Sequence, residues 1–304
     1  MMNLNVNTES TPNIASKKWI AGSTKKKINI GEKLAYIGIY LAAILTICAL
    51  VSIIGYVLLN GLKYIDLDFF TQEPSSMGRQ GGIYSIIIGT IYLTLVAVAI
   101  ATPIGVAAAI YLTEYAKETK LVKLIRFGTE TLAGIPSIIF GLFGFVFFVI
   151  FWGFRWSILS GGLTLAMMIL PTLVRATEES IKTVPQAYRE GSFALGATKL
   201  QTIVKVVLPS SISGILTGLI LGIGRAIGET AAVMLTAGSS LGVPKTLMDP
   251  ARTMAVHTYI LASEGLSKEK TFATATVLIL LVLFINFMAN MTANRYMKKT
   301  KVEA

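Results

Sequence analysis

Arg225 and Glu229 fall inside the apolar run Pro209–Thr236, P-S-S-I-S-G-I-L-T-G-L-I-L-G-I-G-R-A-I-G-E-T-A-A-V-M-L-T. A charge at mid-membrane costs about 2.5–3.5 kcal/mol on insertion scales, so such residues face a bundle interior or a wet cavity. At i and i+4 of a helix the two share one face. A guanidinium presents several fixed donors to an oxyanion, whereas a carboxylate beside it accepts a hydrogen bond only from a group that still carries a proton. The plainer alternative is an ion pair that neutralises itself and fixes the helix's orientation, although Arg before Glu is the poorer order for that purpose. At about 1.5 Å per residue from Pro209, Arg225 is expected roughly 24 Å along its helix, in the middle or outer half of the membrane.

A second stretch carries charge in a different pattern. Arg189 to Pro209, R-E-G-S-F-A-L-G-A-T-K-L-Q-T-I-V-K-V-V-L-P, holds Arg189, Glu190, Lys199 and Lys205, while Phe193, Leu195, Leu200 and Val204 recur at helical spacing. It is too polar to cross a membrane. The reading is a short helix, held between two spans by Gly196 and Pro209, that lies at a bilayer surface or docks into a soluble partner.

The elements that must position both stretches follow from composition. Of 304 residues 54% are hydrophobic and only 14% charged, which predicts an all-α integral membrane protein. Six spans of near or above ~20 residues are expected: about Leu34–Leu59, Gly82–Leu112, Thr131–Phe151, Ser157–Val174, Pro209–Thr236 and Thr271–Ala293. The fourth is the weakest by pattern. Trp152 and Trp156 flank a short turn and suit the headgroup level. Pro103 and Pro136 fall inside spans two and three and should kink them. Gly214, Gly218 and Gly222 recur every fourth residue, with Gly224 and Gly228 on a neighbouring face. That spacing lets other helices approach span five closely and marks it as the expected centre of the bundle.

Residues 1–33 are polar and basic, cannot bury a core, and read as a mobile cytoplasmic tail; 34–81 read as the first anchor and an outward loop, 82–294 as the transmembrane core, and 295–304 as a second cytoplasmic tail. Nineteen Lys and Arg then fall on one side, within the tails and the loops 113–130 and 175–208, against seven on the other, with Arg225 in a span. The excess predicts both termini inside the cell and places 175–208 there as well. The formal charge of +11 is thus a matter of topology, and without a stripe of basic and stacking residues it does not indicate nucleic acid. Cys48 lies in an apolar run and reads as filler. His257 sits in the outward loop without a second ligand at useful spacing, so no metal is expected, and it reads as structural or exposed. With no G-x-x-x-x-G-K-[ST] loop, the chain is not expected to hydrolyse ATP; energy must come from a partner or an ion gradient.

The stretch Glu190-Gly191-Ser192, Gly196, Val206-Val207-Leu208-Pro209 resembles the Glu-Ala-Ala, Gly, Ile-x-Leu-Pro loop of inner-membrane permeases of ATP-driven (ABC) importers, with Gly191 and Ser192 in place of the two alanines and Val206 in place of isoleucine. Together with L-A-G-I-P-S-I-I-F-G-L-F-G and G-R-A-I-G-E-T-A, it makes about Gly82–Asn294 similar to permease subunits of the high-affinity phosphate importer, of the PstA type. The resemblance implies a type I importer permease fold whose loop is a coupling helix gripped by a separate ATPase, with Arg189, Glu190, Gly191, Gly196, Leu208 and Pro209 as coupling residues. It implies a related permease as heterodimeric partner, an ATPase dimer inside, and an extracytoplasmic phosphate-binding protein received by the outward loops 60–81 and 237–270. No cofactor is implied. Hydrogen phosphate fits Arg225 and Glu229 because it keeps a proton for the carboxylate, while sulfate would be repelled. Sulfate or molybdate import, or a phosphate-sensing scaffold for a signalling kinase, are the alternatives; a secondary transporter fits less well, since no inverted repeat is visible.

Overall fold

The structure is a computed structural model that describes residues 30–302. Most of the expected N-terminal tail, and the final two residues, lie outside the described residues, and the first helix already begins at Ile30. The helices are α1 Ile30–Gly61, α2 Leu67–Thr71, α3 Tyr84–Ile110, α4 Lys120–Ala133, α5 Ser137–Gly144, α6 Ile158–Lys182, α7 Gln186–Ala194, α8 Lys199–Thr202, α9 Leu208–Gly228, α10 Ala231–Thr236, α11 Met254–Ser263 and α12 Lys268–Val302. Among the described residues there is no strand beyond one isolated bridge, Ser75 to Gln80. The chain divides between Ser52 and Ile53 into two units: the first, as described, is the greater part of α1, and the second holds every other element.

Five helical runs are long and apolar enough to cross a membrane, and a sixth is a broken pair. The third expected span, Thr131–Phe151, is where sequence and structure part. Pro136 does not kink a helix from within; it precedes the first turn of α5, its φ of −57° fitting that place. Gly134-Ile135-Pro136 separates α5 and its wide-turn continuation Phe145–Phe151 from α4, and the two arms meet at 103°. α4 itself occupies what reads as loop in the sequence. Pro103 does lie inside α3, as expected, and α12 runs on to Val302 where a tail was expected.

The centre of the bundle is α6, the span with the weakest pattern, not the fifth. Two thirds of its apolar window (67%) is buried, against 33% for the run that contains α9. Leu93, Ala97 and Ala101 of α3 pack on Leu165, Met168 and Ile169 of α6, joined by Phe140, Ala226 and Val233. Further along, Ala109, Leu112 and Val122 close on Val174, and Ile110 meets Ile181, Val184 and Val207. Small residues allow the approach: a Cβ on Gly218 would lie 2.5 Å from that of Ala176, and one on Gly214 would collide with Ser180. Polar residues on α6 explain its weak hydropathy, since in the interior of a bundle they need not face lipid.

The far end, opposite α7, is also more buried than an outward loop suggests. Ala251 to His257 are all buried, Thr90 Oγ1 accepts from the backbone N–H of Met254 at 2.9 Å, and Ser85 Oγ donates to the carbonyl of Leu241. His257, 1% exposed, packs its ring on Gly78 and places Nδ1 3.4 Å from the Arg252 guanidinium. It is structural, and the exposed alternative is ruled out. Burial, then the Arg252 charge, lowers its pKa to about 4, so the neutral imidazole is the folded form, with Nδ1 free to accept.

This depression has a definite sign. The folded-state pKa of about 4 lies below the ordinary 6.5, so the contribution is fully present above pH 6.5 and is lost as pH falls towards 4. Across that window the unfolding free energy in detergent should drop on the order of 3 kcal/mol through this group, and His257→Gln should flatten that part of the curve in circular-dichroism melts. An equal slope in both proteins would remove His257 as the cause.

Candidate functional site

At the end of α6 the chain turns through Thr183–Pro185 into α7, a helix of nine residues. It is stopped by Gly196, whose φ of +81° is left-handed backbone that an L side chain adopts only with strain. Thr198 and Gln201 then form a capping box that opens α8. α8, the wide turn Ile203–Val207 and α9 follow as one helical run, Lys199–Gly228. This corrects the expected arrangement: the short helix precedes Gly196, and Pro209, within the first turn of α9, ends nothing.

Arg189 is the residue that seats α7. Its Nε and Nη2 donate to Glu114 Oε1 at 3.1 and 2.8 Å, its Nη1 to the Val184 carbonyl at 2.7 Å, and Nη2 also to the Ile181 carbonyl at 3.1 Å. Both side chains are nearly enclosed, at 12% and 11% exposure, so the pair is shielded from the screening that makes surface ion pairs weak. Glu114 belongs to the wide turn Tyr111–Tyr115 that ends the α3 span. One guanidinium therefore ties three elements together. Ser192 and Thr202 share a hydroxyl contact of 2.9 Å, and Lys199 Nζ lies 4.7 Å above the Tyr115 ring. Glu190 and Gly191 are exposed, as are the apolar side chains of Tyr188, Phe193 and Leu195, the last at 91%.

Beneath α7 a cleft of about 610 Å³ is lined by Glu114, Arg126, Lys182, Arg189, Phe193 and Lys199, among others. Its floor is a second charge cluster: Arg126 Nη2 is 2.8 Å and Lys182 Nζ 3.1 Å from Glu178 Oε1, and Arg126 reaches Glu118 at 3.5 Å. Glu178 is buried, so its carboxylate requires these cations. Leu208 and Pro209 are half-buried, next to Val207 of the small core under α7. A rigid link between α7, α3 and α6, with exposed apolar and acidic groups on its outer surface, is suited to receive a push from a docked protein and pass it to the spans.

The other candidate group is not built as expected. α9 ends at Gly228, and Glu229 is extended (φ −73°, ψ 132°), so Arg225 and Glu229 do not share a helical face. Glu229 Oε1 instead accepts the N–H of Ala232 at 3.2 Å and caps α10. Among the described residues no carboxylate lies within 4 Å of the Arg225 guanidinium. α9 buries the stripe Ser211, Ile215, Gly218, Gly222, Ala226 and leaves open the stripe Thr217, Leu221, Arg225, Gly228, with Arg225 half-buried in it. Of the glycines, Gly214 and Gly218 touch α6 closely and Gly222 looks onto Ile169 at 3.7 Å; Gly224 meets only Asn286 at 4.0 Å, and Gly228 has nothing near it. Arg225 lies roughly 39 Å from Lys199 along the helical run at ~1.5 Å per residue, close to the α10 end. Among the described residues no three His, Cys, Asp or Glu side chains are placed to hold a metal ion.

Glu114, Arg126 and Glu178 are the functional candidates that spacing could not reveal. Their partners are far away in sequence, and the only trace was charge at the ends of apolar runs. Arg189→Ala would leave Glu114 enclosed without its cation; we expect about 3 kcal/mol of lost stability and roughly tenfold faster amide exchange across 186–194. Glu114→Gln should do less, because the two carbonyl acceptors remain. Unchanged exchange in α7 for Arg189→Ala would contradict the clamp.

Residues 101–298 match the family described as "Binding-protein-dependent transport system inner membrane component". The chain is 32% identical over 286 residues to the probable ABC transporter permease protein YqgI of Bacillus subtilis (strain 168), covering 89% of this chain and 97% of that one. It is 35% identical over 214 residues to the phosphate transport system permease protein PstA 1 of Mycobacterium tuberculosis (strain CDC 1551 / Oshkosh), covering 69% and 70%. With PstA of Xylella fastidiosa (strain Temecula1 / ATCC 700964) the identity is 37% over 178 residues, or 59% and 62%. Among solved structures, a bacterial alginate ABC transporter superposes with TM-score 0.64 at 16% identity over 87% of this chain and 95% of that one. The inward-facing MetNI methionine ABC transporter gives 0.59 at 18% identity over 68% and 93%. At these identities the two structures speak for the fold alone, that of a type I ABC importer permease. The family match over most of the core and the near full-length relative together show that the chain belongs to the binding-protein-dependent inner-membrane permeases of ABC transporters.

Proposed function

We propose that this chain is the permease subunit of an ATP-driven importer of inorganic phosphate, working beside a related permease, with both termini on the cytoplasmic side. Subunits of this family serve with a separate ATPase and a substrate-binding protein and are not themselves enzymes. Phosphate is named on the strength of relatives described as phosphate transport permeases and of one feature of this chain: a guanidinium without a carboxylate partner on the open face of α9. Desolvating such a group is offset when a dianion arrives with acceptors for its fixed donors. Glu229, four residues on and committed by one oxygen to α10, keeps another for the proton of hydrogen phosphate and disfavours sulfate by repulsion.

At the opposite end, α7 is the coupling helix. Glu190 faces the ATPase dimer, Gly191 and Gly196 permit close backbone approach, Arg189 positions the helix from behind, and Leu208 and Pro209 carry its movement into α9. The outward segments 60–81 and 237–270 receive the phosphate-binding protein through their exposed parts, since Ala251–His257 are internal.

The test is uptake into vesicles that hold the complete complex and ATP. Arg225→Ala should cut phosphate transport roughly tenfold to a hundredfold, the range of a lost charged hydrogen bond, with assembly intact. Glu229→Gln should let sulfate compete. Normal uptake by an assembled Arg225→Ala complex would overturn the role, and a wild-type complex that prefers sulfate or molybdate, or moves nothing, would overturn the substrate.

A further inference from the structure

α4 is amphipathic the wrong way round for water. It meets the protein through Val122, which is buried, and through Arg126, held by Glu178 and Glu118, while Glu130, 62% exposed, lies 2.9 Å from Arg175. Its apolar side faces out, with Leu121, Leu124 and Phe127 exposed by 64%, 63% and 65%. A soluble helix shows the reverse. These 14 residues, about 21 Å long, leave the α5 arm at 103°, so that when α5 follows the membrane normal α4 lies close to the membrane plane. Inside the elbow an apolar cavity of about 320 Å³ is walled by Leu132, Ile135, Ile139, Phe140, Phe143 and Met167.

Lysines decide what covers this face. Lys117, Lys120 and Lys123 are exposed around the N-terminal half of α4, and among the described residues none has a carboxylate within 4 Å; Glu118, the acid among them, is turned to Arg126. Protein interfaces are depleted in lysine, whereas helices lying in a bilayer surface carry lysine beside the apolar face, its stem along the hydrocarbon and its ammonium among phosphates. Each lysine near an anionic leaflet adds attraction, and the Lys and Arg count assigns this loop to the side where such lipids concentrate.

We propose that the α4–α5 elbow is a binding site for anionic phospholipid, with Lys117, Lys120 and Lys123 at the headgroup phosphate and an acyl chain entering the cavity behind Leu132. The site is separate from Arg225 and needs no assumption about the transported anion. It gives the elbow an anchor in the leaflet next to the coupling helix, joined to α6 through Arg126 and Glu178.

The intact assembled complex, reconstituted in phosphatidylglycerol or phosphatidylcholine, provides the test. With Cys48→Ser and Leu124→Cys carrying a fluorophore, lipids brominated near the headgroup should quench the probe. In native mass spectrometry the wild type should retain phosphatidylglycerol over phosphatidylcholine, and the triple variant Lys117→Gln, Lys120→Gln, Lys123→Gln should lose roughly tenfold of that preference, with transport in neutral lipid unchanged. A probe that stays unquenched would mean that the partner permease covers α4, and the proposal would fall. Quenching with no preference for phosphatidylglycerol, or a preference that survives the triple variant, would overturn the anionic site as well.

Discussion

Everything at the α7 end depends on one enclosed guanidinium. From α7, Arg189 makes four donor contacts, two to the carboxylate at the end of the α3 span and two to carbonyls at the end of α6 and in the turn that follows it. Carbonyls at a helix end carry the negative pole of that helix and favour a cation beside them, although the Ile181 carbonyl also accepts the Val184 N–H at 3.2 Å. Moving α7 without moving α3 and α6 would separate two charges that are only 12% and 11% exposed on the wall of the cleft. That is a physical basis for a surface helix acting as a lever: stiffness comes from a shared cation rather than from packing, since α7 buries none of its residues. It also gives Arg189, which the family likeness placed among the coupling residues, an inward contact to Glu114.

How much of this was written in the sequence differs from element to element. Length and apolarity gave the spans, because a bilayer imposes a length that any 20-residue window can be measured against. The same measure undervalued α6, whose polar residues are supplied by neighbours in the bundle, and overvalued the third span, where Gly134 and Pro136 mark a true break. Gly141 and Gly144, which press on Ala232 and Thr164, and Gly161, which presses on Ala237 and Leu93, were as visible as the glycines of α9 and more tightly packed than Gly224 or Gly228. Spacing alone does not say which face meets a partner. The clamp was out of reach for a plainer reason: Glu114 and Arg189 are 75 positions apart, and no periodicity links two residues that only the fold brings together.

The break at Glu229 shows where local reading fails for a functional reason. Regular helix from Pro209 to Thr236 would have set Arg225 and Glu229 one above the other and let them neutralise each other. Ending α9 at Gly228 turns the carboxylate towards α10 and leaves the arginine without that partner. An uncompensated cation in a membrane-spanning run is costly, and under the proposed function the cost is regained when an anion binds. The last turn of α9 helps in the meantime, because its free carbonyls favour a positive side chain there.

A single copy of this fold has one complete wall and one missing. α9 gives its small-residue stripe to α6 and leaves Thr217, Leu221 and Gly228 open around the half-buried Arg225; under the proposed function a second permease encloses what crosses along that stripe. The Arg225 face belongs to the helical run Lys199–Gly228, which starts at the capping box after α7 and meets α7 through the contact between Ser192 and Thr202. Under the proposed function, a displacement imposed on α7 reaches the Arg225 face through that run, which packs on α6 by way of Gly214 and Gly218. Under the proposed function the ATPase need not reach Arg225 to act on it, because α7, its contact with Thr202 and the run that follows span the distance between them.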